Sequence, residues 1–147
     1  MDPHGTPAAG DGWFERARIV WWAMITAIGL YGAVLVLVTA GGGAGATVPQ
    51  LRTALTVLAF GSGVASWLAH RRIVPRAPAT AASGVPDDGE QQRRFGMAVL
   101  SWGFGETIAL YGFVLALLER TPADALGFFA LAALALVATR PRPALFR

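Results

Sequence analysis

The 147-residue chain contains no cysteine and no lysine, has only two histidines, and carries charge on only 14% of its residues. The absence of cysteine excludes a disulfide framework, a cysteine-ligated metal and thiol chemistry. With His4 and His70 as the only imidazoles, a histidine-based metal site is not expected. The charged fraction lies well below the roughly 25% of an ordinary soluble domain. Together with a hydrophobic content of 54%, these scarcities predict a protein of the lipid bilayer.

All twelve basic residues are arginine. They flank apolar runs, where arginine anchors and orients membrane helices, so the basic balance does not predict a nucleic-acid partner. We find no nucleophile–base pair, metal-ligand spacing or phosphate-binding loop in the sequence. The sequence therefore predicts neither an enzyme nor a bound cofactor.

Four apolar runs follow one another along the chain, at 19–40, 53–69, 95–118 and 125–139. The first and third have the length of a bilayer span, and the fourth comes near the lower limit of about 17 residues if it begins at Pro122. The fold class predicted is all-α, a polytopic membrane protein with four transmembrane helices. The first run could also be a secretory signal, but it is longer than a signal core and acidic residues precede it.

The runs divide the chain into five segments. We predict a flexible N-terminal tail over 1–15, a first transmembrane hairpin over 16–72 and a second over 93–140. A flexible loop over 73–92, rich in Pro, Ala, Gly and Asp, joins the hairpins. Residues 141–147 form a C-terminal tail.

The arginines are distributed unequally between the two predicted sides of the membrane. Ten lie in the tails and the central loop, and only Arg52 and Arg120 lie on the other side. By the positive-inside rule, both termini and the central loop face the cytoplasm. The predicted location is a bacterial inner (plasma) membrane that the chain crosses several times.

An internal repeat relates the two halves. Residues 26–35 match residues 106–115 at an offset of eighty, and Trp22 matches Trp102 in the same register. The repeat therefore predicts a two-helix hairpin that has been duplicated in the same orientation. Two such hairpins are related by a rotation axis along the membrane normal. In this alignment Thr26 occupies the position of Glu106, so the shared scaffold does not itself require an acid there.

Glu106 is the only charged residue of the run 95–118. An ionised carboxylate at the bilayer centre costs about 2.5–3.5 kcal/mol on insertion scales, so such residues are functional candidates by default. The first interpretation is a proton- or ion-binding group. The second is a protonated side chain that only hydrogen-bonds a neighbouring helix.

Small and weakly polar residues mark the remaining candidate surfaces. One stripe on the third helix comprises Gly105, Ala109, Gly112 and Ala116, and small stripes let membrane helices approach closely. Ordinary packing between helices of one chain explains this stripe. The alternative is that the stripe packs many copies of the chain closely into a ring. Ser62 on the second helix and Tyr111 on the third are supporting candidates beside Glu106 and Thr26. Tyr31 and Tyr111 could donate hydrogen bonds within the bundle, although packing is the simpler role.

The stretch 103–118, which reads GFGETIALYGFVLALL, resembles the carboxylate helix of rotary-ATPase proteolipid (c-type) subunits. The resemblance covers this helix only. It rests on three features in chain order: a glycine-rich segment before a glutamate, an apolar stretch that contains Tyr-Gly, and a final segment rich in Leu, Val and Ala. It implies that Glu106 stands where the family carries its ion, and that the chain assembles with copies of itself or with other membrane subunits.

Three functions remain open at this stage. The first is proton or ion handling through Glu106. The second is a non-catalytic structural or assembly role in a larger membrane complex. The third, weaker, is a minimal transporter or channel formed by oligomerisation.

Overall fold

The computed structural model describes residues 9–41, 45, 49–73 and 88–143. They form four helices: α1 over Ala9–Thr39, α2 over Pro49–Ile73, α3 over Asp88–Glu119 and α4 over Pro122–Ala138. No strand occurs within these residues, so the all-α prediction is confirmed. By length and composition α1, α2 and α3 can each cross a membrane, whereas α4, with 17 residues, is a shorter apolar helix.

Two helices begin earlier than predicted. Helix α1 begins at Ala9 and not at 16, and α3 begins at Asp88 and not at 93. Local contacts explain the added turns: the rings of Trp13 and Phe95 lie 5.6 Å apart, and Glu90 pairs with Arg93 and Arg94. Ion pairs at these spacings stabilise a helix. Of the predicted loop over 73–92, residues 74–87 lie outside the described part of the chain.

Helix α3 is the centre of the bundle. It packs along each of the other three helices, while α1 and α2 make at most marginal contact with each other in the described residues. In the most apolar stretch of α3, 44% of the residues are buried, against 6% in α1. The two predicted hairpins are thus packed differently, since α3 and α4 lie directly together.

The contacts also give the helix directions. Leu35 of α1 clusters with Ala116 of α3 near the end of both helices, so these two helices run parallel. Helices α2 and α4 run antiparallel to α3, because Ser66 bonds Ser101 and the carbonyl of Thr139 accepts a hydrogen bond from Trp102. The connection from α3 to α4 is tight, and Arg120 takes a φ of 53° in the left-handed region where the chain reverses.

The outward faces of the bundle are apolar. Large side chains on all three flanking helices are more than half exposed, among them Leu37, Val57 and Leu134. In water such a surface would be a strong aggregation liability, whereas lipid solvates it. The interior is instead built from small residues and a few large ones, as expected where packing and not hydrophobic exclusion holds helices together.

The predicted stripe of small residues on α3 is buried at all four positions and faces α4. A side chain added at Gly105 would lie 3.2 Å from Leu136, and one at Gly112 would overlap the base of the Phe128 side chain. These two glycines therefore set how closely α4 approaches α3.

We expect Gly112→Ala to destabilise the bundle, because the new methyl group meets Phe128 Cβ, which cannot rotate away. Overpacking of this kind typically costs about 1–3 kcal/mol. The matched control is Gly103→Ala on the same helix, where nothing lies within 4 Å of the added carbon. Denaturant titration in detergent followed by circular dichroism measures both. Equal stability of the two variants would contradict the close approach.

Candidate functional site

The site is centred on a hydrogen bond between α1 and α3. The hydroxyl of Tyr31 donates to Oε1 of Glu106 over 2.8 Å, and the pair is partly buried. The structure therefore gives Glu106 a polar partner on a neighbouring helix. The bond satisfies one carboxyl oxygen and leaves Oε2 as the atom at which a proton can be held or released.

Glu106 lies far from both charged ends of its helix. Arg93 precedes it by 13 residues and Glu119 follows it by 13. At 1.5 Å per residue each is about 20 Å away along the axis. If α3 crosses a bilayer whose hydrocarbon core is about 30 Å thick, the carboxyl group lies near its middle.

Aromatic packing holds the tyrosine in place. The ring of Tyr31 lies 5.4 Å from the ring of Phe113. Phe113 follows Glu106 on α3 by seven residues, about two helical turns. Tyr31 also packs against the buried cluster around Ile108 and Ala109. With its ring fixed by α3, the hydroxyl is directed at the carboxyl group of the same helix.

The sequence favoured a packing role for Tyr31, with a hydrogen bond inside the bundle as the alternative, and did not indicate Glu106 as its partner. In the sequence repeat the residue aligned with Glu106 is Thr26. In the bundle, Thr26 is exposed and its hydroxyl bonds the carbonyl of Trp22 in the same helix, at 2.9 Å. The residue that meets Glu106 lies five positions later on α1.

The other supporting candidates lie elsewhere. Tyr111 is partly buried and packs with the cluster around Ile108. Ser62 is buried on α2 with 9% of its surface exposed. Neither forms a recorded bond to Glu106 within the described residues, so the structure brings neither into the site.

A second buried polar contact joins α2 to α3. The hydroxyl of Ser101 donates to the carbonyl of Ser66 over 2.9 Å, and the two hydroxyl oxygens lie 3.2 Å apart. The small, weakly polar character of the α2 face was visible in the sequence, but this pairing was not. Ser101 lies five residues before Glu106, about 7.5 Å along the axis, and on the α2 side of the helix.

A charged cluster lies at the end of the bundle where α2 begins, α3 ends and α4 begins. Arg52 of α2 pairs with Glu119 of α3 and, at 3.0 Å, with Asp124 of α4. The Glu119 side chain is only 3% exposed, while that of Arg52 is 48% exposed. Arg52 thus links three helices and compensates a buried carboxylate. Nothing in the sequence predicted this cluster beyond the presence of one arginine at the start of α2.

No group of three or more metal-ligating side chains occurs within the described residues. The chemistry available at the site is thus that of a carboxyl group and a phenol in an apolar surrounding. Such a pair can hold one proton and exchange it at Oε2, and it can also simply fasten two helices together.

Comparison with protein-family models, with curated proteins and with solved structures found no match for this chain.

Proposed function

We propose that this protein is a multi-pass membrane protein in which Glu106 binds and releases a proton or another ion. The hydrogen bond from Tyr31 to Glu106 carries this proposal. It provides a carboxyl group at mid-helix with one fixed oxygen and one oxygen available for exchange. The resemblance of residues 103–118 to proteolipid subunits supplies the class of activity.

The proposed membrane arrangement has four crossings, with both termini and the central loop in the cytoplasm. Eight described arginines support it, since they cluster at one end of the bundle: Arg16, Arg18, Arg71, Arg72, Arg93, Arg94, Arg140 and Arg142. Only Arg52 and Arg120 lie at the other end, and this asymmetry favours a cytoplasmic side for the larger group. Helix α4 is about 25 Å long and runs along α3 from Trp102 to Ala116, which favours a fourth crossing.

The parallel duplication of two hairpins is proposed as the origin of the chain. The sequence repeat and the parallel directions of α1 and α3 support it. The different packing of the two halves then reflects divergence after duplication, with α3 taking the central position.

In the proposed cycle Glu106 alternates between a protonated and an ionised form. Tyr31 holds Oε1 in both states, since a carboxylic carbonyl and a carboxylate oxygen each accept a hydrogen bond. The proton leaves from Oε2 to a basic group or water supplied by a partner. That partner is a second copy of the chain or another membrane subunit.

A structural role is the second candidate, and one observation favours it. Among the described residues of α1 only Ala17 and Leu35 are buried hydrophobics, and the Tyr31–Glu106 bond adds a polar contact that fixes α1 against α3. In this case Glu106 stays protonated and fastens α1 as part of an accessory or assembly subunit.

Labelling with a hydrophobic carbodiimide tests the proton-binding proposal. The reagent modifies protonated carboxyl groups in apolar surroundings, so we expect label on Glu106 and little on Glu90 or Asp124, which form ion pairs. Peptide mass spectrometry locates the label. The Glu106→Gln variant is the control and should remain unlabelled. An unlabelled wild-type Glu106 would contradict the proposal.

A further inference from the structure

A groove runs between α2 and α4 on the outside of the bundle. The two helices touch only sparsely, and the space between them holds one cavity of about 440 Å³ and a second of about 230 Å³. Phe60 and Leu131 line both, so the two cavities are neighbours along one groove. The lining of the larger cavity is almost wholly apolar, whereas the smaller one also includes Thr56 and Asp124.

The larger cavity opens toward the basic end of the bundle. Its lining includes Trp67 on α2 and Thr139 at the end of α4. The guanidinium of Arg71 lies over the Trp67 ring, 3.8 Å from its centroid. Arg140 follows Thr139 directly and Arg142 comes two residues later, and the charge of Arg142 acts on His70 at the end of α2. An apolar groove thus ends beneath a group of cationic side chains.

The arginines at this mouth form no ion pair with an acid in the part of the chain that the structure describes. On the α1 and α3 side, Arg18 pairs with Glu15, and Arg93 and Arg94 pair with Glu90. Within the described residues no ion pair to a carboxylate involves the four arginines at the groove mouth, which are Arg71, Arg72, Arg140 and Arg142. All four are exposed.

We propose that the α2–α4 groove, with the arginines at its mouth, is a binding site for an anionic phospholipid. One acyl chain lies along the apolar lining and the phosphate meets Arg71, Arg140 and Arg142. Basic pockets between membrane helices on the cytoplasmic side are suited to anionic headgroups, and arginine contacts phosphate with two parallel donors. The aromatic ring of Trp67 lies where interfacial aromatics anchor to headgroups. The site is separate from Glu106 and does not depend on its chemistry.

Native mass spectrometry of the full chain tests the site. The protein is released from vesicles of equal parts phosphatidylglycerol and phosphatidylcholine. We expect phosphatidylglycerol to be retained in preference to phosphatidylcholine. In Arg140→Gln/Arg142→Gln the preference should fall about thirtyfold, because each cationic side chain that meets the headgroup contributes about fivefold to its retention. Arg16→Gln/Arg18→Gln removes the same charge at the same end of the bundle and should retain the wild-type preference.

A second variant tests the groove itself. Ala138→Trp places a large ring into the cavity that Ala138 lines and should reduce retention of phosphatidylglycerol without changing any charge. Circular dichroism checks that each variant is folded, and if Ala138→Trp does not fold, the arginine pair decides. Equal retention of both lipids by the wild type, or equal losses in the two arginine pairs, would overturn the proposal. So would a lipid-free dimer that Ala138→Trp disrupts, because a second copy would then occupy the groove.

Discussion

Vesicles that contain the Glu106→Gln variant are expected to lose the proton flux that the wild type supports, while the protein keeps its fold. Glutamine has the shape of glutamate, and its carbonyl oxygen can still accept the hydrogen bond from Tyr31. What it lacks is the proton that titrates. A pH-sensitive dye inside the vesicles measures the flux under an imposed gradient, and the expected loss is complete.

Two tyrosine variants separate the proton-binding role from a structural one. Tyr31→Phe removes the donor to Glu106, whereas Tyr111→Phe, its counterpart in the repeat, removes a hydroxyl that does not reach Glu106. Tyr31 bonds both forms of Glu106, but a hydrogen bond to a charged group contributes about 1.5–3 kcal/mol, against about 0.5–1.5 kcal/mol for a neutral one. Loss of the Tyr31 hydroxyl therefore disfavours the ionised form and should slow flux about five- to tenfold. Tyr111→Phe should be close to wild type.

The structural role predicts another pattern. Tyr31→Phe would then lower stability, and Glu106→Gln would match the wild type in every assay. If Glu106 also escapes carbodiimide and the wild type carries no protons, the proton-carrier hypothesis fails and the structural role stands.

The largest loss of stability is expected at the far end of the bundle, from Arg52→Gln. This change leaves Glu119 buried, with only 3% of its side chain exposed and its partner removed. A stranded buried carboxylate costs on the order of 3 kcal/mol. Asp124, the other acid of the cluster, adds repulsion. Denaturant titration in detergent measures the loss.

Substitution of the acidic partner, Glu119, is the matched comparison. Glu119→Gln leaves Arg52 still paired with Asp124 and about half exposed, so its effect should be clearly smaller. The double variant should recover much of the stability lost in Arg52→Gln, because no buried charge remains. Equal losses for the two single variants would show that Glu119 is not the costly member of the pair.

The sequence predicted the helices and one helix face well, because those features are local. Absence of charge over some twenty residues marks a membrane helix, and the spacing of Gly105, Ala109, Gly112 and Ala116 marks one side of it. Both follow from helix geometry alone. A hydrogen bond from Glu106 to a neighbouring helix was one of the two interpretations that the sequence left open.

The identity of that neighbour could not be read from the sequence. It depends on the axial position of α1 against α3, about which a sequence repeat carries no information. That position is set by packing, such as the contact of the Tyr31 ring with Phe113. The Ser66–Ser101 bond and the Arg52 cluster depend on helix placement in the same way.

The central position of α3 has a consequence for how the protein is made. Helices emerge from the ribosome in chain order, and the described residues of α1 and α2 make at most marginal contact with each other. Their polar side chains, Tyr31, Ser66 and Arg52, meet Glu106, Ser101 and Glu119 only once α3 has been made. Assembly of this bundle therefore depends on the synthesis of α3, and a chain arrested before Asp88 lacks the helix against which α1 and α2 pack.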